Sequence, residues 1–241
     1  IPAHTLYGDY PPKIAEAEIK PVMETGEIVL SRVVVPEYIV VHDGSPRDST
    51  ATNYYVKYKD YIKNVASSEI YATWPENTIR ANVLAIMSFT LNRVYTEWYR
   101  NKGYDFTITS STAFDHKWIP ERNIFDSISV IVDELFADYL SRPNVRQPIL
   151  TQYCDGRRVS CPNWLTQWGS KALGDQGLTA IEILRYYYGD VYQYSSGDLR
   201  DTVFVAGIHA GEGSKWRKST ADAGTAPGDI RGISGDPEGR G

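Results

Sequence analysis

Cysteine and histidine are scarce in this chain of 241 residues, which contains 2 Cys and 4 His. Structural zinc sites draw their ligands from closely spaced Cys and His residues. The histidines here are scattered along the chain without such spacing: His4, His42, His116 and His209. We therefore predict no metal and no other cofactor, and a zinc-dependent amidase or peptidase is disfavoured.

The chain also lacks an excess of positive charge and any long apolar run. Its formal net charge is −5 at pH 7, whereas nucleic-acid-binding proteins usually present a basic face, so nucleic acid is not an expected partner. No apolar segment approaches the roughly 20 residues that cross a bilayer as a helix, so we predict no membrane span. No signal peptide is recognisable, and a chain that begins with Ile1 is expected to be a processed or trimmed form.

The two cysteines, Cys154 and Cys161, flank a short segment that opens with the Asp155–Gly156 turn signal. A hairpin there could bring the two side chains within disulfide distance. One cysteine pair does not define the redox compartment, so a disulfide and two free thiols both remain open at this stage.

Aromatic residues, by contrast, are abundant. The chain has 18 Tyr and 6 Trp, which supply most of its 12% aromatic share. Their flat apolar faces and polar edges suit stacking against sugar rings, although most of them are expected to pack in the core. The composition is thus compatible with a carbohydrate ligand.

Composition divides the chain into three parts. Residues 1–26 are rich in proline and predict an extended N-terminal arm, whereas residues 27–194 carry the periodic apolar patterns of a folded domain. Residues 195–241 are rich in Gly, Asp and Ser with little apolar periodicity, so we expect a disordered or loosely attached tail. For the domain we predict an α+β fold, in which an antiparallel-rich sheet packs against several helices, including one long central helix.

Local patterns predict the order of elements within this domain. Strands are predicted at 27–35, 38–41, 54–56, within 104–114 and at 148–153, with a break at Pro36. Helices are predicted at about 59–70, 76–101, 123–142, 163–173 and 180–188. Capping-box sequences at Thr73–Glu76 and Thr179–Glu182 are predicted to start the second and the last of these helices.

Glu69 is the strongest candidate for a catalytic residue, because it lies at the end of the first predicted helix beside a tight corner. A carboxyl group packed against Ile70, Tyr71 and Trp74 would be partly desolvated, which raises its pKa and keeps it protonated near neutral pH. A general acid needs that state to protonate a glycosidic oxygen. Most glutamates near helix ends are solvated surface residues, so the position alone does not define a role.

Two sequence blocks carry a family pattern. Val65–Pro75 (VASSEIYATWP) precedes the helix segment Ala81–Ala85, and Leu165–Leu173 (LTQWGSKAL) precedes Gly177 and Ile181–Tyr188 (IEILRYYY). The first block resembles the V-A-S-E-M-P-x-x-W-P segment of the stage II sporulation protein D family of lytic transglycosylases. The second block resembles that family's L-S-Q-W-G-A-K block and its I-L-x-x-Y-Y ending.

The resemblance covers about residues 56–192 and, with Tyr38–Gly44 included, is greatest to the spore cortex-lytic enzymes of clostridia. It implies that Glu69 is the catalytic acid and then the base. In that family's reaction the 6-hydroxyl of muramic acid attacks its own anomeric carbon and leaves a 1,6-anhydro end, so one carboxyl group suffices where ordinary glycosidases use two. The implied partner is the peptidoglycan glycan strand, and the implied location is extracytoplasmic, in the spore cortex, spore coat or cell wall.

The family pattern also indicates residues that line the glycan cleft. Tyr153, Gly156 and Arg157 fall where the family has a Tyr and a Ser-Ser-Gly-Gly-x-Thr turn, with Cys154 and Asp155 in place of the serines. Further substrate contacts are expected from four side chains: Tyr71, Trp74, Gln167 and Trp168. For Trp168, packing at the helix junction is an equally good interpretation.

The sequence departs from the family in two regions. Some members bind zinc through His and Cys after the long helix, but here that region offers only His116, so we predict no zinc and expect His116 to be exposed or hydrogen-bonded. The cortex-lytic enzymes often carry peptidoglycan-binding repeats, whose periodicity is absent from about Gly197 onward. We take that tail to be a replaced or frame-shifted end.

Two functions of different classes therefore remain. The first is a lytic transglycosylase, which the presence of Glu69 favours because a binding module has no need of a buried acid. The second is a non-catalytic peptidoglycan-binding or spore structural module on the same fold, which the altered turn and zinc region favour.

Overall fold

The predicted α+β class is confirmed by the computed structural model, which describes residues 29–30, 33–145 and 147–195 and the backbone of 202–204. Its helices are α1 (Tyr58–Glu69), α2 (Glu76–Tyr95), α3 (Asp126–Leu135), α4 (Gln167–Asp175) and α5 (Ala180–Tyr188), with a 3-10 turn at Arg100–Lys102. The strands are β1 (Val33–Val35), β2 (Tyr38–His42), β3 (Asn53–Lys57), β4 (Ile108–Thr109), β5 (Asp138–Ser141), β6 (Tyr153–Cys154), β7 (Leu165–Thr166), β8 (Tyr192–Ser195) and β9 (Thr202–Phe204).

The long helix α2 forms the centre of the fold. From Ala81 to Tyr95 every residue is buried, so the helix is covered on all sides rather than along one stripe. The other four α-helices and strands β1 and β5 pack around it. Two of its buried polar side chains bond outside the helix: Asn82 donates to Ser170 Oγ at 2.9 Å, and Asn92 donates to the Pro148 carbonyl at 2.7 Å.

Helix α4 approaches α2 unusually closely at Gly174. A Cβ atom at this position would lie 2.0 Å from the Oγ1 atom of Thr78, the buried residue near the start of α2. Glycine therefore permits the contact that brings the start of α4, with Gln167 and Trp168, alongside the corner between α1 and α2.

The strands form four small sheets of mixed direction, and the prediction of an antiparallel-rich sheet is wrong. β2 is the middle strand of the order β3-β2-β4, antiparallel to β3 and parallel to β4, and β5 pairs antiparallel with β8. The pairs β1–β9 and β6–β7 are parallel. Parallel pairing needs a crossover, and between β2 and β4 helices α1 and α2 supply it.

The capping box predicted at Thr73–Glu76 is wrong, whereas the one at Thr179–Glu182 is confirmed. The N-cap of α2 is Pro75, without a side-chain cap, and Glu76 instead accepts a 2.8 Å bond from Arg80. A residue before proline is disfavoured in the helical region, so α2 begins only after Pro75. At Thr179 both reciprocal bonds of the box with Glu182 are present, and α5 runs to Tyr188 as predicted.

Three of the helices have boundaries that differ from the predicted ones. α2 ends at Tyr95 instead of near residue 101, because Glu97 has a left-handed φ of 47°. α3 covers only Asp126–Leu135, because Tyr139 belongs to β5 and pairs with Tyr194 of β8. α4 starts at Gln167 rather than at residue 163.

Of the predicted strands, β2 and β3 match within one residue at each end, whereas others are shorter. Pro36 separates β1 from β2, and β3 includes 54–56, as predicted. Within 104–114 only β4 forms, and the strand predicted at 148–153 is reduced to Tyr153–Cys154. In both cases the ladder extends only as far as a partner strand from elsewhere in the chain is present.

The two predicted terminal segments are only partly described. The arm at 1–26 lies outside the described residues, as does most of the segment from 196 onward. Ser195, assigned to the tail, ends β8 and is buried, and the backbone of Thr202–Phe204 pairs with β1. Within the described ranges, the helices are too short or too polar to cross a bilayer.

Candidate functional site

Glu69 is the last residue of α1, at the point where the chain leaves the helix. Ile70 is extended (φ −128°, ψ 170°), and its N–H closes the helix on the Ala66 carbonyl. The segment 70–75 then turns directly into α2. The buried side chains of Ile70 and Trp74 anchor this corner, so Glu69 projects from a rigid junction of two helices.

The Glu69 carboxyl group accepts hydrogen bonds from two distant parts of the chain. The backbone N–H of Lys117 donates to Oε1 at 2.9 Å, and the side-chain amide of Gln167 donates to Oε2 at 3.1 Å. Gln167 is buried, whereas Glu69 is partly exposed, so solvent or a ligand can reach the carboxyl group. Glu69 and Gln167, each predicted to belong to the site, are therefore in direct contact.

Burial raises the pKa of Glu69 above its ordinary value. The donors from Lys117 and Gln167 and the Tyr153 hydroxyl oppose this shift, because each stabilises the carboxylate, but burial outweighs them. The direction agrees with the prediction from sequence. An acid of this kind keeps its proton to higher pH than a solvated glutamate does.

Tyr153, predicted to line the cleft, is half-buried next to the carboxyl group. Its hydroxyl is buried and interacts electrostatically with Glu69, but it does not meet the geometry of a hydrogen bond with any described residue. Its ring stacks on the ring of His116, with centroids 5.7 Å apart. Tyr153 therefore supports the acid from within the protein.

His116 was expected to be exposed or hydrogen-bonded, and it is hydrogen-bonded and fully buried. A 3.0 Å bond joins its Nδ1 atom to the hydroxyl of Tyr61. Burial, helped by the positive charge of Arg93, lowers the pKa of His116 to about 3, so the ring is neutral at physiological pH. Within the described part of the chain, no three His, Cys, Asp or Glu side chains converge as they would around a metal ion.

The loop that supplies the Lys117 N–H is held by Asp115. Its buried carboxylate accepts bonds from Arg93 Nε at 2.8 Å, from the Tyr99 hydroxyl at 2.5 Å and from Thr109 Oγ1 at 2.8 Å. These bonds fix the loop two residues before Lys117. No local pattern predicts this arrangement, because its partners lie between six and 22 residues from Asp115 in separate elements.

Three predicted residues, Tyr71, Trp74 and Trp168, form one aromatic cluster beside Glu69. Ring centroids are 5.4 Å apart for Tyr71–Trp74, 5.7 Å for Tyr71–Trp168 and 5.0 Å for Trp74–Trp168. Trp74 is buried, and Tyr71 retains 58% of its surface exposed. Trp168 thus packs at the helix junction, and Tyr71 presents the open aromatic surface.

The open question about the cysteines is answered, because Cys154 and Cys161 form a disulfide. Within the loop, Gly156 has a left-handed φ of 74°, and a Cβ atom there would lie 2.5 Å from the Cβ atom of Thr166. Arg157, the next residue, extends over Trp168, with its Cζ atom 3.3 Å from the ring centroid. The disulfide-closed loop thereby joins the aromatic cluster.

All the residues predicted from sequence therefore belong to one connected site, although in different roles. Glu69 and Gln167 are in contact, the Tyr153 hydroxyl interacts with Glu69, and Arg157 covers Trp168. The sequence reasoning missed Lys117 and Asp115, which act through a backbone N–H and a remote loop.

Comparison with known proteins adds no assignment. No protein-family model matches this chain, and no curated protein is significantly similar to it. The function is therefore argued from the site itself.

Proposed function

We propose that the protein is a lytic transglycosylase that cleaves the glycan strands of peptidoglycan, with Glu69 as general acid and then general base. One observation carries the proposal: a partly exposed carboxyl group whose pKa burial raises is held in place by the Lys117 N–H and Gln167. Such an acid keeps its proton to higher pH than a solvated glutamate, as a group that protonates a leaving oxygen must.

The reaction needs one carboxyl group because the nucleophile belongs to the substrate. Protonated Glu69 gives its proton to the oxygen that links muramic C1 to the next sugar, and the C1–O bond breaks through an oxocarbenium-like state. The resulting carboxylate takes the proton of the muramic 6-hydroxyl while O6 bonds to C1. A 1,6-anhydro end forms, no water is consumed, and Glu69 is protonated again.

The hydrogen-bond donors around Glu69 would stabilise the carboxylate that exists between the two proton transfers. Between the two proton transfers the carboxylate is charged in a partly desolvated place, where hydrogen bonds to the charged form have their greatest effect. Lys117 N–H and Gln167 supply such bonds without reorganisation. Preorganised donors of this kind favour acid and base roles for one residue.

Two features near Glu69 support a glycan substrate and an oxidising compartment. Tyr71 offers an exposed aromatic face beside the acid, of the kind that packs on sugar rings. The Cys154–Cys161 disulfide is typical of extracytoplasmic proteins, in agreement with a site of action in the spore cortex, spore coat or cell wall.

The test compares three proteins on purified spore cortex: the parent, Glu69→Gln and the matched variant Glu121→Gln at an exposed glutamate. Mass spectrometry of the soluble muropeptides is expected to find 1,6-anhydro ends with the parent and Glu121→Gln, and none with Glu69→Gln.

Other outcomes would change the proposal in defined ways. Reducing ends in place of anhydro ends would identify a hydrolase. Binding to cortex by all three proteins without cleavage by any would favour the non-catalytic wall-binding module.

A further inference from the structure

Arg157 is a cation placed on the aromatic cluster rather than paired with an acid. It is exposed, its guanidinium carbon lies 3.3 Å from the centroid of Trp168, and it has no ion pair among the described residues. A guanidinium over an aromatic ring keeps the N–H groups at its edge available. These donors match the two oxygens of a carboxylate.

The loop that carries Arg157 is held from inside. The Cys154–Cys161 disulfide closes it, and the Asp155 carboxylate accepts the backbone N–H groups of Arg157 and Arg158, each at 3.0 Å. Because Asp155 bonds to loop amides, it does not neutralise the Arg157 side chain. Little ordering of the loop is therefore needed when a ligand binds.

Arg157 and Glu69 are linked through two consecutive residues at the start of α4. Gln167 donates to Glu69, and the next residue, Trp168, carries Arg157 on its ring. The Trp168 N–H also donates to the Asp155 carbonyl at 3.2 Å, which fixes the loop to the start of α4. Through these contacts the guanidinium is one residue removed from the amide that binds the acid, so we expect an extended glycan strand bound at Glu69 to reach it.

We propose that Arg157 binds a carboxylate carried by the muramic residue next to the scissile bond, so that the substrate class is carboxylated glycan rather than uncharged glycan. This rests on the proposed function and names the group that the site selects. The chain carries a net charge of −5, which repels an anionic strand, so a local unpaired cation is needed to orient one.

Two groups can supply that carboxylate: the lactyl group of a muramic residue without a peptide, or the stem peptide. Binding is measured in the Glu69→Gln background, where cleavage does not interfere. The probes are glycan strands with stem peptides and strands stripped of them by an amidase, each before and after conversion of carboxylates to amides.

Adding Arg157→Gln to this background is expected to weaken binding of the untreated strands by about fivefold to tenfold at low salt, and to leave binding of the amidated strands unchanged. Arg157→Lys keeps the charge without the planar fork and should restore part of the loss. Arg158→Gln, one residue away in the same loop, is the matched control and should bind like the background.

The arms separate the possible outcomes. Dependence on carboxylates in stripped strands identifies the lactyl group, and dependence only in peptide-bearing strands identifies the stem; either supports the proposal. An equal loss on amidated strands, or in Arg158→Gln, overturns it. If the protein binds strands in a carboxylate-dependent way but the parent cleaves none, the role of Arg157 stands and only the proposed transglycosylase activity is overturned. If no strand binds, both proposals are overturned.

Discussion

At the scale of single residues, Glu69 experiences two opposing influences. Burial raises its pKa, whereas the Lys117 N–H and Gln167 stabilise the carboxylate and lower it. Because burial has the larger effect, Glu69 stays protonated to higher pH than an ordinary glutamate. The two hydrogen-bond donors remain in place to stabilise the carboxylate when the proton leaves. Each neighbour of Glu69 can therefore be tested through the pH dependence of activity.

Gln167→Leu should shift the alkaline limb of the activity profile to higher pH. The substitution removes a donor that lowers the pKa of Glu69, and a general acid stays active until pH rises through its own pKa. The measurement is kcat/KM for strand cleavage as a function of pH. Activity should also fall about tenfold or more, because the carboxyl group loses one of its two positioning bonds.

Gln176→Leu provides the control, since Gln176 is exposed at the end of the same helix. Its profile should match that of the parent. An alkaline limb that moves to lower pH in Gln167→Leu would contradict the role assigned to this amide.

At the scale of elements, the site depends on how closely α4 lies against α2. Gly174 permits that approach, since any side chain there would meet Thr78. Glycine is also a poor helix former, so close packing favours glycine at position 174 whereas helix propensity favours alanine. A pair of substitutions can separate the two effects.

Gly174→Ala should destabilise the parent by about 1–2 kcal/mol, because the added methyl overpacks against Thr78 Oγ1. In a Thr78→Ala background that oxygen is absent and the nearest remaining contact is the Cβ atom at position 78, 3.3 Å away, so the same substitution should become close to neutral as helix propensity offsets the residual crowding. Unfolding in urea measures both values. Equal effects in the two backgrounds would show that the helices are not in close contact at Gly174.

At the scale of the whole molecule, stability is linked to an acid far from the site in sequence. Asp138 of β5 is buried, and its Oδ2 atom accepts a 2.7 Å bond from Gln193 of β8. Burial raises its pKa to about 7, although hydrogen bonds from Gln193 and Ser195 oppose the shift. The folded protein therefore binds a proton that the unfolded chain releases between about pH 4 and pH 7.

This difference predicts that stability falls as pH rises through that window and levels off above pH 7. The loss of stability between pH 4 and pH 7 amounts to about 4 kcal/mol, since each pH unit between the two pKa values costs about 1.4 kcal/mol. Asp138→Asn should abolish this loss, so that the variant gains stability over the parent at pH 8 relative to pH 5. Unfolding free energies at the two pH values measure the effect.

The exposed variant Asp60→Asn is the control and should keep the pH dependence of the parent. If Asp138→Asn also keeps it, the buried carboxyl group is not the source of the linkage.

Much of the fold and of the site was accessible from sequence because the signals are local. Apolar spacing located the helices, the capping box at Thr179 marked the start of α5, and the corner after Glu69 marked the acid. The short strands were less accessible: Tyr139 has helical spacing with its neighbours, yet β8 recruits it into a sheet. A partner more than fifty residues away leaves no trace in local periodicity.

The α+β class, the long central helix and the position of Glu69 at a helix end could be derived from the amino-acid sequence, since each follows from residue spacing along a few turns. The surroundings of that carboxyl group, in contrast, depend on how distant segments pack together. Lys117, Gln167 and Tyr153 reach it from three separate segments, and the disulfide sets Arg157 over Trp168. Desolvation and hydrogen bonding act through space, so the pKa of an acid depends on contacts that chain order does not specify.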